Sequence, residues 1–481
     1  MSLKGQAIGG IIWTVADTFI LKGLSFIATL ILARWLGPAE FGLVGMIAVF
    51  IAIGTSLTDS GLTNSLIRAR EKDDRDYTTV FWLNLGMSAL VYSVLFFSAP
   101  LIAEFFGQPI LTELVRLYCL SFVISAFSAV QLARLTSEMA FKKIAKLNIP
   151  GTIIGVVVGL ILGYKGYGAY SIVWMYLTTQ IIQSIMLWGT SNWKPTFSYS
   201  KEKAKYHYGF GYKLMLSGLL NTVFQNIYNI IIGKIYTPSI LGSYERAKTF
   251  NDYPITIITS VVTKVTYPLL SSIQDDRVKM GEVYRKILRL TFFVTCPLMF
   301  ISSAIAKPLF NLVLGKEWNE AIPFFQILCL ATMLYPIHAF NLNVFKVYGR
   351  SDLFLKLEII KKVIIVVSLI IAYHFGLYGL VWSGVVTSYI ALLINTHYSA
   401  EMINYSQRQQ FKDMLPVFFI GGISAICIVV FNKLVLINSD ILNVLLGIFL
   451  GGVVYLALSY MTKSMPLKYC VNLIKKKKRK K

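Results

Sequence analysis

The feature that most constrains this chain is a train of continuous apolar segments, each roughly 20 residues long, that runs nearly from end to end. GTIIGVVVGLILGY (151–164) and ILNVLLGIFLGGVVYLALSYM (441–461) are typical. Lipid offers the backbone no hydrogen-bond partners, so only helical bundles and closed barrels can span it. These runs do not alternate apolar with polar residues as barrel strands do, which selects helices. Hydrophobic residues make up 56% of the 481 and charged residues 14%. Soluble domains have about 45–50% and about 25%, so water-soluble α/β folds are excluded. The sequence predicts an all-α polytopic membrane protein with about fourteen transmembrane helices.

The expected spans are 10–33, 41–60, 78–98, 114–133, 147–163, 168–190, 209–233, 241–270, 287–306, 321–345, 357–375, 377–399, 414–432 and 441–461. An even number puts both termini on one side, and lysine and arginine decide which side that is. The opposite loops hold only Arg34, Lys165, Lys234, Lys307, Lys316 and Lys433, whereas the termini and alternate loops hold about five times as many basic residues. Both termini are therefore expected in the cytoplasm, in the bacterial cytoplasmic (inner) membrane. The net charge of +23 is concentrated in these loops and in the run Lys475–Lys481. It reads as positive-inside topology plus attraction of the tail to anionic lipid, not as nucleic-acid binding. The far-side loops are too short to fold as domains. The five cysteines lie in or beside apolar spans without a CxxC pair, so they read as packing residues.

At a constant offset of 200, residues 31–50 repeat as 231–250. Ile31/Ile231, Pro38/Pro238, Gly42/Gly242 and Phe50/Phe250 are identical, and Arg34/Lys234 keeps the charge. Spans 1 and 7 run in the same direction, so the repeat is parallel. The expected architecture is two pseudo-symmetric parallel six-helix lobes, 1–200 and 201–412, then spans 13 and 14 (413–462) and a basic tail (463–481).

Charges at membrane depth cost at least ~2.5–3.5 kcal/mol each and need a reason. Span 1 carries Asp17 and Lys22, and span 8 carries Glu245, Arg246, Lys248, Asp252 and Lys264. The i, i+3, i+7 spacing of Glu245, Lys248 and Asp252 puts them on one helix face. A headgroup-zone ion pair and a cavity lining are both compatible with that group, while mid-membrane Lys22 favours a cavity. Span 7 adds an amide stripe of Asn221, Gln225 and Asn229, suited to gluing helices together or to binding sugar hydroxyls. His338 on span 10 reads as a satisfied core histidine, and Pro336 before it as a kink. Asp73, Asp74 and Asp76, in EKDDRD, read as a solvated loop. The chain contains no GxxxxGK[ST], HExxH or GxSxG motif, and no catalytic site is expected.

LARWLGPAEFGLVGM (32–46), DSGLTNSLIR (59–68), RLTSEMAFKKIAKL (134–147) and SYERAKTFNDYP (243–254) resemble the Wzx-type polysaccharide flippases of the multidrug/oligosaccharidyl-lipid/polysaccharide exporter superfamily. The resemblance extends over essentially the whole chain. It implies export of an undecaprenyl-diphosphate-linked oligosaccharide from the cytoplasmic to the outer leaflet by alternating access. Lys22, Arg246, Lys248 and Lys264 would then meet the diphosphate or acidic sugars, and Asp17 and Asp252 would balance charge or couple an ion. The deep acids nearly match the deep bases, a departure from the strongly cationic cavity common in the family. No cofactor is expected, and H+ or Na+ stays open as the coupling ion. Polysaccharide polymerase machinery is a candidate partner. A peptidoglycan-precursor flippase and a cation-coupled drug exporter are the alternatives, and a membrane glycan polymerase or transferase is a distant one.

Overall fold

The computed structural model describes the backbone of residues 3–59, 61–69, 72–435 and 437–478. It describes side chains from residue 21 onward, apart from 59, 210, 213–214, 470 and 473–478. The described residues are helical almost throughout, with no strand among them. The expected spans lie within helices or consecutive helix pairs apart from a residue or two at some ends, and residue 60 lies outside the described residues. Nine described stretches are long and apolar enough to cross a membrane, and the chain is a multi-pass membrane protein.

Two compact units divide the chain, 1–242 and 243–481. The first holds α1 (Leu3–Asp59), α2 (Leu62–Arg68), α3 (Asp74–Phe106), α4 (Leu111–Tyr118), α5 (Leu120–Ser137), α6 (Phe141–Tyr164), α7 (Ala169–Gly189), α8 (Lys201–Ile235) and the first turn of α9 (Pro238–Ser271). The second holds the rest of α9, then α10 (Arg277–Ala304), α11 (Ala306–Val313), α12 (Ala321–Thr332), α13 (Tyr335–Val347), α14 (Ser351–Tyr373), α15 (Gly376–Met402), α16 (Gln407–Leu434), α17 (Asp440–Met461) and α18 (Met465–Lys478).

Spans 1 and 2 are the two arms of α1, bent where Gly37 takes φ 74° and Pro38 starts the second arm. Only glycine enters that region without a Cβ penalty, and proline suits a helix start. The matching turn in the repeat runs through extended Tyr236 into Pro238, the first residue of α9. Span 10 is likewise two helices, α12 and α13, which part at Met333–Leu334 just ahead of Pro336. The expected kink is therefore present.

In the first unit, α6 carries Gly151, Gly155, Gly159 and Gly163 at every fourth position. Lipid supplies no hydrophobic drive between helices, so close backbone approach through small residues must supply the packing. A Cβ at Gly155 would lie 2.0 Å from Thr179 Oγ1 and 2.6 Å from the Met175 carbonyl oxygen of α7. Gly155→Ala is expected to cost about 1–3 kcal/mol, seen as a lower melting temperature of the detergent-solubilised protein; an unchanged melt would show that α6 and α7 can separate at no cost.

The second unit is held by polar ties as well as apolar packing. Asn251 of α9 donates to the Phe325 carbonyl (3.1 Å) and accepts from Thr332 (3.1 Å) on α12. Asn341 of α13 accepts from Tyr284 of α10 and from Ser399 of α15 (2.8 Å). Asp413 of α16 receives Arg285 Nε (2.6 Å), Arg289 and Tyr405 Oη. Cys119, Cys296 and Cys329 are buried and unbridged, as packing residues should be. Leu90, Val94, Phe97 and Leu101 make an exposed apolar face on α3, the surface a lipid-embedded helix presents.

Candidate functional site in each unit

In the first unit, α8 lies antiparallel to the second arm of α1. Gly233 meets Met46, and Gly218 comes within reach of Ser56. The face of α8 on this seam includes Asn229, which is buried with Oδ1 lacking a hydrogen-bond partner among the described residues. Asn221 and Gln225 of the same stripe are exposed, while Asn226 donates back to the Thr222 carbonyl (2.8 Å). The stripe is thus part seam and part open polar surface. Lys22 is exposed on the first arm of α1. The Asp17 side chain lies outside the described residues.

In the second unit, α9 gathers the deep charges as its spacing predicts. Asp252 is in electrostatic reach of Lys248 and Glu245, and Arg246 of Glu245 and Tyr253. All four are neither fully buried nor fully exposed. Alternating signs along one face let each charge offset its neighbour, so the group is close to neutral and locally balanced. Lys264, three turns further on, is exposed and stands apart from this group along the helix. His338 of α13 is half-buried, facing α15. Its Nδ1 accepts from Asn395 (3.3 Å), and Nε2 donates to Ser388 Oγ (3.2 Å). Ser388 passes its own proton to the Ala331 carbonyl. Both ring nitrogens are satisfied, as expected, but the ring is half-buried and lines a pocket with Tyr335 and Lys361, so it is not a core residue.

The EKDDRD segment corrects its sequence reading. Asp74 is solvated, but Asp73 caps α3 in a capping box with Asp76. Asp76 is buried. Lys203 of α8 donates to Asp73 Oδ1 (2.7 Å) and Asp76 Oδ2 (2.6 Å). One turn on, the fully buried His207 donates Nε2–H to Asp76 Oδ1 (3.1 Å), and its Nδ1 accepts from Ser65 of α2 (2.8 Å). A carboxylate can only accept, which fixes this tautomer for the neutral ring. The readable signals were the Asp73/Asp76 capping spacing and the i, i+4 pair Lys203/His207. Neither revealed that the two segments meet.

These groups lie outside the expected spans, and their ionisation follows from the contacts. The Lys203 hydrogen bond, with the Asp76 amide, holds Asp73 far below the usual carboxylate range. Burial pushes His207 below the ordinary imidazole value, against the pull of Asp76. Lys203 is desolvated, yet its two carboxylate bonds raise it. The lowered acid contributes stability that is lost as pH falls below about 4, and the lowered histidine stability that is lost below about 6.5. The raised lysine contributes below about 10.4 and loses its share above that.

Residues 31–323 match the family described as "Polysaccharide biosynthesis protein". The lipopolysaccharide biosynthesis protein WzxC of Escherichia coli K12 is 24% identical over 77% of this chain and 76% of its own length. The teichuronic acid biosynthesis protein TuaB of Bacillus subtilis 168 is 23% identical over 87% of each chain. Among solved structures, the lipid II flippase MurJ in an inward closed conformation aligns with a TM-score of 0.72 at 17% identity. That alignment covers 94% of this chain and 98% of that one, a likeness of fold.

Proposed function

Because the chain belongs to the polysaccharide biosynthesis protein family, we propose that it is a flippase carrying an undecaprenyl-diphosphate-linked oligosaccharide from the cytoplasmic to the outer leaflet of the bacterial inner membrane. It works by alternating access, as a transporter and not as an enzyme, driven by an H+ or Na+ gradient. Both termini face the cytoplasm, with the basic tail on anionic lipid, and a polysaccharide polymerase takes up the product. Fourteen spans, grouped as two parallel lobes of six (1–200 and 201–412) and a final pair, complete the topology.

The observation that carries this reading is the charged face of α9, held inside a membrane fold whose family and named relatives serve surface-glycan synthesis. A lipid-linked sugar needs a polar track for its head while its tail stays in lipid. Lys248, Arg246 and Lys264 suit the diphosphate, since cations pair with phosphate through charge-assisted bonds. Exposed Asn221 and Gln225 suit sugar hydroxyls, and Lys22 adds a further cation on α1. Asp17 and Asp252 balance the charge or take part in ion coupling.

Deleting the gene is expected to abolish the surface polysaccharide while its complete lipid-linked repeat unit accumulates, shielded from glycosidase added outside the cell. Lys248→Ala is expected to lower restoration of the polymer about tenfold at equal protein level, the loss of one charge-assisted contact. Accumulation of incomplete repeat units would instead point to a biosynthetic enzyme.

A further inference from the structure

Within the second unit, α13, α14 and α15 enclose a cavity of about 190 Å³. Its polar lining is Tyr335 and His338 of α13, Lys361 of α14, and Thr387 and Ser388 of α15. Tyr335 alone among the lining residues is exposed, which puts the mouth at its ring. The exposed apolar stripes lie elsewhere: Ile359, Val363, Val367 and Ile370 on α14, and Trp382, Val386 and Leu393 on α15. Helical spacing sets Lys361, and the lining residues of α15, on the other sides of their helices. The cavity is therefore turned away from the faces that these helices present to lipid. His338 and Lys361 both lie nearer the cytoplasmic ends of their expected spans, so in the proposed topology the cavity sits in that half of the membrane. A lysine there is costly and needs a reason.

Charge and hydrogen bonding narrow what can enter. Lys361 donates to Glu358 one turn back on α14, so its charge is already balanced. Nδ1 of His338 accepts from Asn395, so the ring is neutral. The cavity thus carries no net charge, which suits neither a phosphate nor an acidic sugar. Thr387 gives its hydroxyl proton to the Gly384 carbonyl (3.1 Å), and Ser388 gives its own to that of Ala331 (3.2 Å). Both oxygens keep acceptor capacity, and Lys361 keeps N–H donors beyond the one given to Glu358. An uncharged ligand that donates and accepts at several atoms is rich in hydroxyls. Tyr335 adds an aromatic ring, whose electronegative face takes the C–H side of a sugar. The volume lies below that of pockets for drug-sized ligands, as fits a single sugar residue.

We infer that this cavity holds one uncharged hexose residue of the lipid-linked oligosaccharide. Thr387 and Ser388 accept from its hydroxyls, Lys361 donates to them, and Tyr335 stacks on the ring. His338 is a positioning residue, since its bond to Ser388 fixes that acceptor. This rests on the flippase reading and deepens it by naming a sugar subsite and the class of sugar it takes. It also gives Glu358 a role: without that carboxylate, Lys361 would favour an anion. A few placed polar groups in a mostly apolar cavity set orientation and specificity.

The test measures binding and flipping side by side on the whole protein. Saturation-transfer NMR in nanodiscs titrates methyl glucoside, methyl galactoside and methyl mannoside, with methyl glucuronide and inorganic phosphate as charged probes. At least one neutral hexoside is expected to bind the wild type. Thr387→Val removes an acceptor at constant shape and should weaken that binding about fivefold, the loss of one hydrogen bond. Ala391→Phe fills the cavity and should abolish it. Glu358→Gln leaves the Lys361 charge unbalanced and should shift preference toward the glucuronide about fivefold, which a pair that merely ties a helix turn would not do. In proteoliposomes, Thr387→Val should slow flipping of a fluorescent undecaprenyl-diphosphate oligosaccharide that contains the bound hexose. Three results overturn the inference: no neutral hexoside binds, the wild type prefers glucuronide or phosphate, or Ala391→Phe binds as the wild type does. Wild-type flipping then leaves the flippase reading intact. Flipping untouched by Thr387→Val, despite weakened binding, overturns the subsite's place in transport. If Ala391→Phe does not accumulate, Thr387→Val and Glu358→Gln still decide. Hexoside binding that the variants alter, in a wild type that flips no lipid-linked sugar, removes the flippase reading and keeps the sugar site.

Discussion

Gly42→Leu is expected to leave little folded protein in the membrane, and Gly242→Leu to do the same. An ideal Cβ at Gly42 would sit 1.7 Å from the Pro238 carbonyl oxygen, and one at Gly242 would sit 1.9 Å from the Pro38 oxygen. Each glycine of the repeat faces the proline of the other copy, so the two turns clasp reciprocally with backbone on backbone. A neighbouring side-chain tip could rotate away, but a helix carbonyl cannot move without shifting its helix. Overpacking usually costs about 1–3 kcal/mol, and a backbone obstruction belongs at or above the top of that range. Even Gly42→Ala should melt several degrees lower in detergent. Gly86→Ala, where a Cβ meets nothing within 4 Å, is the matched control and should melt unchanged or higher. Equal melts for Gly42→Ala and Gly86→Ala would mean that the clasp does not persist in the purified protein.

Asp413→Ala is expected to cost about 3 kcal/mol. Its side chain is 7% exposed and accepts from Arg285 and Arg289 of α10 and from Tyr405. Removing the carboxylate leaves two guanidinium groups side by side with no anion between them. Breaking a buried ion pair from one end costs about 3–5 kcal/mol. Arg285 is 42% exposed, so water recovers part of that and the lower end applies. Adding Arg289→Met to Asp413→Ala should restore part of the loss, because it removes the repulsion; a double variant no better than the single would refute the pairing. Thermal melts of the wild type and of these two variants are sufficient to check this.

Much of the fold was legible because lipid reduces the choices to helical bundles and closed barrels, and the apolar runs lack the alternation of barrel strands. Apolar runs of spanning length without strand alternation read as helices, and the expected spans lie almost wholly in helices or consecutive helix pairs. The turn chemistry was legible too: Gly37–Pro38 bends α1, and Pro336 follows a real break between α12 and α13. The offset repeat marked Pro38, Gly42, Pro238 and Gly242, but one strand of letters cannot say that the copies touch. The same limit applies to EKDDRD. Its charges look solvated in sequence, and only a basic partner more than a hundred residues away, on α8, makes Asp76 a buried site. Glu245, Lys248 and Asp252 were recoverable because helical spacing alone puts them on one face. Asn221, Gln225 and Asn229 share a stripe, yet only the packing of α8 on α1 separates buried Asn229 from its exposed neighbours.

The most direct test of the account is leaflet transfer itself. A fluorescent undecaprenyl-diphosphate oligosaccharide is placed in proteoliposomes holding the purified protein, and glycosidase outside reports which copies have crossed. The account predicts that protein-containing vesicles expose the inner pool at a rate that depends on protein and falls about tenfold in Lys248→Ala. Vesicles with wild-type protein that keep the inner pool protected, yet export small organic cations, would contradict it.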